Sequence, residues 1–367
     1  MADLIHGGDI YSVREKGNNG KLLDFSANIN PLGLPDSVKE AVISGLESCI
    51  HYPDPLCREL LRDLAHYEKV KEEHLICGNG AADLIFRLVV AKMPYKAMVL
   101  APTFAEYEKS LESIGCIVKH HYLKAENQFR LGEDILFLLN ESIEMLFLCN
   151  PNNPTGQIMD PALLRQILVR CKEFNILLVL DECFVDFLEN PEGNTMKEFI
   201  EEYDNLFILK AFTKNFAMPG LRLGYGICSN RGLLDTLSET GQPWAVSLPA
   251  QLAGVQALKE TEYLEKARTL IFQEKAYLQA ELQRLGFHVF SSAANYIFFQ
   301  LPIEKDAYDR KDFKALLQEK NIMVRSCGNY KGLTPDYFRI AVKLHEENEQ
   351  LVKALEEIRK VSSDKKE

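Results

Sequence analysis

Four short segments hold the side chains with chemical potential. Asn150-Pro151-Asn152-Asn153-Pro154-Thr155-Gly156 stands directly behind an apolar run that ends at Cys149. Asp181-Glu182 stands behind the next such run, and Thr213-Lys214 behind another. Met218-Pro219-Gly220-Leu221-Arg222-Leu223-Gly224-Tyr225 comes just after. A lysine desolvated beside other cations loses part of its proton affinity and becomes a usable amine. A guanidinium fork matches the oxygens of a phosphate or carboxylate. Taken singly, Asn-Pro-x-Gly is a turn, an aspartate after a strand is a helix cap, and an arginine is a surface ion pair. In this order after successive strands they point to one ligand site, because open α/β sheets bind ligands at the carboxyl ends of their strands.

The elements that must deliver these residues can be read from the hydrophobic pattern. Helix-like stretches at 37–48, 55–68, 81–93, 104–114 and 160–174 alternate with apolar runs at 97–101, 145–149, 176–180, 206–209 and 223–227. Such runs read as βα units around a mostly parallel sheet buried on both faces. One long helix is expected from about Pro249 to Leu285, stopped by Gly286. Strands at 287–290, 296–300 and 337–342, with helices at 311–320 and 345–360, describe a smaller α+β portion. The expected organisation is an extended, Gly- and Asn-rich arm over 1–30, a large α/β domain over 31–245 and a small C-terminal domain over 246–367.

Two domains also suit a chain of 367 residues, at ~150 residues per domain. The composition, 47% apolar and 26% charged, is that of an ordinary globular protein. With 42 Lys+Arg against 53 Asp+Glu the formal net charge is −11. No general attraction to nucleic acid or to an anionic membrane is expected, and an anionic ligand would need local cations. Met1 to His6 lacks the basic flank of a signal peptide, and apolar runs such as Ile176 to Leu180 are too short to span a bilayer. No two of the nine cysteines stand in a Cys-x-x-Cys pair. That argues for reduced thiols in a cytoplasmic, reducing compartment and against a zinc ribbon. Gly78-Asn79-Gly80-Ala81-Ala82-Asp83 lacks the third glycine of a dinucleotide fingerprint. Gly17 to Leu22 has the wrong spacing for a P-loop, and neither Gly-x-Ser-x-Gly nor His-Glu-x-x-His occurs. No metal is expected.

The remaining pattern resembles the fold-type I enzymes that use pyridoxal 5'-phosphate, the aspartate aminotransferase superfamily, over essentially the whole chain. The resemblance implies a fold-type I transferase-like architecture and gives each residue a role. Lys214 would be joined covalently to the cofactor aldehyde. Asp181 would pair with the pyridine nitrogen and make the ring an electron sink. Asn153 would hydrogen-bond the ring hydroxyl oxygen. Arg222, eight residues after Lys214, would clamp the cofactor phosphate, with the backbone of Gly80 and Ala81 at a helix N-terminus. Phe104 matches the ring that stacks on the pyridine. Tyr52 matches a tyrosine that reaches the phosphate from the neighbouring subunit, which implies a homodimer. Two positions depart from the pattern. Ala211 stands where relatives place a phosphate-binding Ser or Thr, leaving Thr213 as the hydroxyl nearby, and Phe184 stands where many have a tyrosine.

His6-Gly7-Gly8-Asp9-Ile10 and Asp24-Phe25-Ser26-Ala27-Asn28-Ile29-Asn30-Pro31-Leu32-Gly33 look like the threonine-phosphate decarboxylase branch, which is similar to the histidinol-phosphate aminotransferases. That branch implies loss of CO₂ from O-phospho-L-threonine to give (R)-1-aminopropan-2-ol phosphate for cobalamin biosynthesis. His6, Gly7, Asn30, Asn153, Arg325 and Arg339 would contact this small phosphorylated amino acid. Arg325 and Arg339, expected on separate small-domain strands, could hold two anionic ends and fix the rotation about Cα. Two alternatives keep every cofactor residue. One is an aminotransferase acting on histidinol phosphate or a similar phosphorylated amine. The other is a decarboxylase of O-phospho-L-serine, a difference of one methyl group worth only ~1–3 kcal/mol.

Overall fold

In the computed structural model the described residues are 6–15, 20–302 and 313–364. Residues 1–5 and 16–19 of the expected arm, 311–312 of an expected helix and the last three of the small domain lie outside them.

The continuous apolar runs become the buried strands of one large sheet. Its strands are β2 (Leu75–Gly78), β3 (Lys96–Ala101), β4 (Ile117–Tyr122), β5 (Met145–Cys149), β6 (Leu177–Asp181), β7 (Leu206–Ala211) and β8 (Gly224–Ile227). They lie in the order β2-β8-β7-β6-β5-β3-β4. All five residues of β5 and all five of β6 are buried, as a strand covered on both faces requires. The pairs β7–β6, β6–β5, β5–β3 and β3–β4 are parallel, whereas β8 runs antiparallel to both its neighbours. This corrects the expectation that 223–227 is another parallel strand. The reversal brings the start of β8 to the edge where the other strands end, so Gly224 pairs with both Gly78 and Ala211.

Helices α2 (Asp36–Gly45), α3 (Arg58–Glu68), α4 (Ala81–Lys92), α5 (Ala105–Glu112), α6 (Pro161–Glu173), α7 (Phe212–Asn215) and α8 (Arg231–Thr240) accompany this sheet. Local chemistry sets several of their starts. Asp160 accepts the N–H groups of Ala162 and Leu163 at the head of α6, with Pro161 in the first turn. Asn230 accepts the Leu233 N–H at the head of α8.

The single helix expected over 249–285 is two, α9 (Leu248–Ala257) and α10 (Thr261–Arg284). The break falls where the chain changes cores. Ala250, Ala253 and Ala257 of α9 pack into the core of the large sheet. Ala267, Ile271, Leu278 and Leu282 of α10 pack into a second core. That core covers a four-stranded sheet, β12 (Arg325–Ser326), β13 (Tyr337–Ala341), β10 (Tyr296–Gln300) and β9 (His288–Val289), in this order and antiparallel throughout. Helices α11 (Phe313–Glu319) and α12 (His345–Asp364) complete it.

The arm is not extended throughout. It holds a short helix, α1 (Ile10–Glu15), and a strand, β1 (Leu23–Asp24), which pairs in parallel with β11 (Ile322–Met323). Leu23 and Phe25 are buried in the second core, and the Phe25 carbonyl accepts the Ala341 N–H at 2.8 Å. Residues 26–30 therefore cross from the four-stranded sheet toward Lys214. No helix among the described residues is long and apolar enough to cross a membrane.

Candidate active site

The carboxyl edge of the large sheet gathers the four segments singled out by the sequence. Lys214 lies in α7, one turn beyond the end of β7, and is half-buried. Asn30 holds this turn in place twice. Its N–H donates to the Lys214 carbonyl at 3.1 Å, and its amide donates to the Asn215 carbonyl at 2.8 Å. Burial, and then the positive charges of Arg339 and Arg222, bring the Lys214 ammonium down to about 8, against an opposite pull from Cys183 and Asp24.

Asp181 closes β6 and is buried. One of its carboxylate oxygens accepts the Tyr107 hydroxyl at 2.5 Å and the other accepts the Cys183 N–H at 2.9 Å. Tyr107 is itself fixed by stacking on Phe147, with ring centroids 5.1 Å apart. Glu182, the next residue, points elsewhere. It accepts the Thr195 hydroxyl at 2.6 Å and the Met196 N–H at 2.8 Å, and burial pushes its carboxyl up to about 7. The two neighbouring carboxylates thus divide, Asp181 toward the site and Glu182 toward a loop.

Gly80 precedes α4 with φ +82°, and a Cβ there would stand 2.5 Å from an Arg222 guanidinium nitrogen. Only glycine leaves room for the arginine to lie across the helix N-terminus. Arg222 is exposed, and its guanidinium donates to the Pro219 carbonyl at 3.2 Å. Ala81 begins α4 beside them, and Thr213 is buried next to Lys214. Free amides at a helix N-terminus, a guanidinium and a glycine floor form a cradle for a phosphate.

Asn153 is buried, and its side-chain oxygen accepts a hydrogen bond from Arg339. Arg339 is buried on β13. It also donates to the Ser26 carbonyl at 2.7 Å and lies over the Tyr296 ring. Its Nε–H has no acceptor among the described residues. Arg325 is buried directly opposite Arg339 across the β12–β13 ladder. The two arginines expected on separate strands are thus cross-strand neighbours whose heads diverge. Arg325 turns to Asn329, at 2.8 Å, and over the Tyr330 ring. It lines a cavity of about 110 Å³ shared with Phe104, His120 and Lys331. Like charges directly opposite one another destabilise a sheet, so a buried pair of this kind suits anionic ligand groups, one at each of the diverging heads.

His6 reaches the same region from the arm. Its ring is bonded to Glu106 at 2.7 Å and lies 5.7 Å from the Phe104 ring. A Cβ at Gly7 would stand 2.1 Å from the Ser26 carbonyl oxygen, so the arm approaches the Arg339-bound segment only with glycine there. Phe184 packs edge-on against Tyr296, whose hydroxyl donates to the Asn152 carbonyl at 2.7 Å.

Tyr52 is not brought to this site within one chain. It is 79% exposed and stacks on Trp244 with centroids 4.5 Å apart. Sequence reasoning missed Tyr107, Ser26 and Tyr296, whose types carry no local signal. It also missed a charged network beneath Lys214. Asn215 donates to Asp186 at 2.7 Å, Lys210 sits 3.6 Å from Asp186, and Lys210 donates to Glu68 at 2.7 Å.

The depressed Lys214 amine has a consequence for stability in cofactor-free protein. The unfolded lysine holds its proton up to its ordinary 10.5, the folded one only to about 8. Between those values the unfolded state binds more protons, so stability rises with pH across the window. At 1.36 kcal/mol per unit the ceiling is about 3 kcal/mol, reduced by partial solvent screening. Lys275, brought down to about 8 by burial, adds a slope of the same sign. Denaturant unfolding at about pH 7.5 and about pH 10 should therefore show a smaller rise for Lys214→Met than for the parent chain. Equal rises would place Lys214 in solvent.

The family model for aminotransferase class I and II matches residues 20–355. The chain is similar to the threonine-phosphate decarboxylase of Salmonella typhimurium, 36% identical over 356 residues that cover 96% of each chain. It is similar to the adenosylcobalamin biosynthesis bifunctional protein of Leptospira interrogans, 34% identical over 364 residues, covering 96% of this chain and 41% of that protein. Among solved structures it is similar to the histidinol-phosphate aminotransferase of Clostridium acetobutylicum. The TM-score is 0.85 at 29% identity, covering 94% of this chain and 100% of that one.

Proposed function

Because the chain belongs to the aminotransferase class I and II family, we propose that it is a pyridoxal-phosphate-dependent carboxy-lyase acting on O-phospho-L-threonine. The cofactor of this family is pyridoxal 5'-phosphate, and the residues on the carboxyl edge fit it. A phosphate has its cradle in Gly80, Ala81 and Arg222, with the Thr213 hydroxyl nearby. A protonated ring nitrogen has a carboxylate in Asp181, held in place by Tyr107. A ring hydroxyl has Asn153, a ring face has Phe104, and an aldehyde has the depressed amine of Lys214. When bound, the cofactor supplies an electron sink for the negative charge left at Cα after a bond to it breaks.

The chain decides which bond that is. Arg339 binds the substrate carboxylate and Arg325 the phosphate, and gripping both ends fixes the rotation about Cα. Asp181 holds the proton on the ring nitrogen. As CO₂ departs, Lys214 returns a proton from Nζ to Cα, giving 1-aminopropan-2-ol phosphate, a product suited to cobalamin biosynthesis. His6 and Gly7 close the site from the arm and exclude water, while Asn30 keeps the lysine turn at a fixed depth. The observation that carries this reading is the buried, cross-strand pair Arg325–Arg339, with the Arg339 charge acting on Lys214. It matches a substrate with two anionic ends, and the relative at 36% identity bears the name of that activity.

The test is to supply the purified holoenzyme with O-phospho-L-threonine, with and without 2-oxoglutarate. CO₂ and the amino alcohol phosphate should appear in equal amounts and independently of the oxo acid. Glutamate formed without CO₂ would instead establish an aminotransferase, the reading favoured by the similarity to the Clostridium structure. O-phospho-L-serine is expected to react more slowly, by the ~1–3 kcal/mol that one methyl provides.

The working form is a homodimer. Ile43, Leu46, Ile50, Tyr52 and Leu56 leave apolar surface exposed on one chain, with Ile50 at 84%. Covering it with a second copy would also bring Tyr52 to the partner's phosphate cradle. Ile50→Glu, which would bury a charge at that contact, is expected to elute as a monomer in size-exclusion chromatography and to retain cofactor poorly. A dimer of parental stability would place the contact elsewhere. Nine free cysteines suit a reducing compartment, the cytoplasm.

A further inference from the structure

The proposed reaction gives no role to the charged network beneath Lys214. Glu68, Asp186, Lys210 and Asn215 are all buried. Taking such groups out of water costs free energy unless each finds a partner. The partners here form a chain that runs from the core to the lysine turn. At the end of α3, one Glu68 oxygen accepts the Tyr225 hydroxyl at 2.5 Å and the Lys210 ammonium at 2.7 Å. Its other oxygen accepts the Lys197 ammonium at 3.2 Å. Lys210 in turn stands 3.6 Å from one oxygen of Asp186, in the turn Val185–Phe187 that follows β6. The other Asp186 oxygen accepts the Asn215 side-chain amide at 2.7 Å. The Asp186 carbonyl is held as well, accepting the Arg268 guanidinium of α10 at 3.3 Å.

We propose that Asp186 is a positioning residue for Lys214: by gripping Asn215 it fixes the rotation of α7, and with it the direction in which the Lys214 amine points. The proposal rests on reading Lys214 as the residue joined to the cofactor aldehyde. α7 has only four residues, and a helix that short does not hold its own conformation in water. Its orientation comes from its tethers. Asn30 binds the carbonyls of Lys214 and Asn215 and so limits how far the turn can shift. Asp186 acts on a side chain instead. Consecutive side chains on a helix stand ~100° apart, so Lys214 and Asn215 point to different sides of α7. Turning the lysine away from the site would carry Asn215 away from Asp186. The carboxylate cannot follow, because Lys210 faces its other oxygen and Arg268 holds its backbone. The Asn215 amide cannot flip freely either, since its oxygen accepts the Phe216 N–H at 3.1 Å.

The experiment mixes cofactor-free protein with pyridoxal phosphate and follows formation of the borohydride-reducible link to Lys214, by absorbance and by peptide mass after reduction. Steady-state kinetics with O-phospho-L-threonine give kcat and KM, and circular dichroism and the melting temperature report folding separately. Asn215→Ala removes the grip and leaves Asp186 with Lys210. Link formation should slow and kcat should fall by ~10- to 100-fold, the scale of a misplacement of about 1 Å. KM should change by less than about twofold, because the arginines proposed to bind the substrate lie on β12 and β13. Asn215→Asp sets two carboxylates against one another and should lose more. Adding Asp186→Asn to it restores a donor–acceptor pair of the same shape and net charge, and should recover most of both rates. A merely structural role predicts a lower melting temperature for Asn215→Ala with link formation and kcat unchanged, and that result overturns the proposal. So does a folded double variant no faster than Asn215→Asp alone. The rate of link formation decides the matter whichever substrate the enzyme takes. A parent chain that forms no reducible link at Lys214 refutes the cofactor reading, and the positioning role with it.

Discussion

Replacing Lys214 by Ala is expected to abolish the borohydride-reducible link between chain and cofactor and to lower turnover by about four orders of magnitude, the upper end of what a positioned acid–base group supplies. The environment of the amine is the reason. Lys214 lies in α7, one turn past the end of β7, among buried groups, and burial with two guanidinium charges brings it down to about 8. Near neutral pH a fraction of the amine is therefore free to react, whereas an ordinary lysine would be almost wholly protonated. Among the described residues, Lys214 is the lysine on which the Arg339 and Arg222 charges act. Lys210, four residues earlier, faces the other way into its contacts with Glu68 and Asp186. Absorbance of the bound cofactor and peptide mapping after borohydride reduction check the assignment. A reducible link that survives in Lys214→Ala would move the attachment to another residue.

Replacing Arg339 by Lys should cost nearly as much. Removing one partner of a buried, charged hydrogen-bonded contact costs about 2–5 kcal/mol, or roughly 30- to 5,000-fold in kcat/KM at 1.36 kcal/mol per tenfold. Two of the Arg339 donors already serve Asn153 and the Ser26 carbonyl. The Nε–H is buried without an acceptor among the described residues, a state that costs free energy until an anion takes it. A lysine has one compact ammonium and cannot hold Asn153, Ser26 and a carboxylate in a plane. If, as proposed, the same contact binds the carboxylate and sets the bond to be broken, KM should rise and kcat should fall. Steady-state kinetics with O-phospho-L-threonine separate the two. A loss of less than about tenfold would remove Arg339 as the carboxylate clamp.

Much of the candidate site was legible in the linear sequence, because each part sits just past a strand and strands of this kind announce themselves. Met145 to Cys149 and Leu177 to Leu180 are continuous apolar runs, and a run of that length in water has no stable alternative to burial. The residues just past each run must emerge at a sheet edge. That logic placed Asn153, Asp181 and Lys214 together. It could not place Tyr107, which is an ordinary residue of an ordinary helix until the fold stacks it on Phe147 beneath Asp181. Nor could it find Ser26, which contributes only a backbone carbonyl to Arg339.

The division has a physical basis. Hydrophobic periodicity, caps and turn residues are local, so the sequence by itself determined which segments are strands and helices and which reactive residues terminate them. Strand direction, register and core membership are set by contacts between distant segments. Only the tertiary structure reversed β8 and thereby brought Arg222 to the edge where the other strands end. It alone folded the arm onto β11, split 249–285 between two cores, and set Arg325 opposite Arg339. That last pairing joins positions 14 residues apart, across a turn whose register no local pattern encodes, and it sets two buried arginines opposite one another, as the proposed doubly anionic substrate requires.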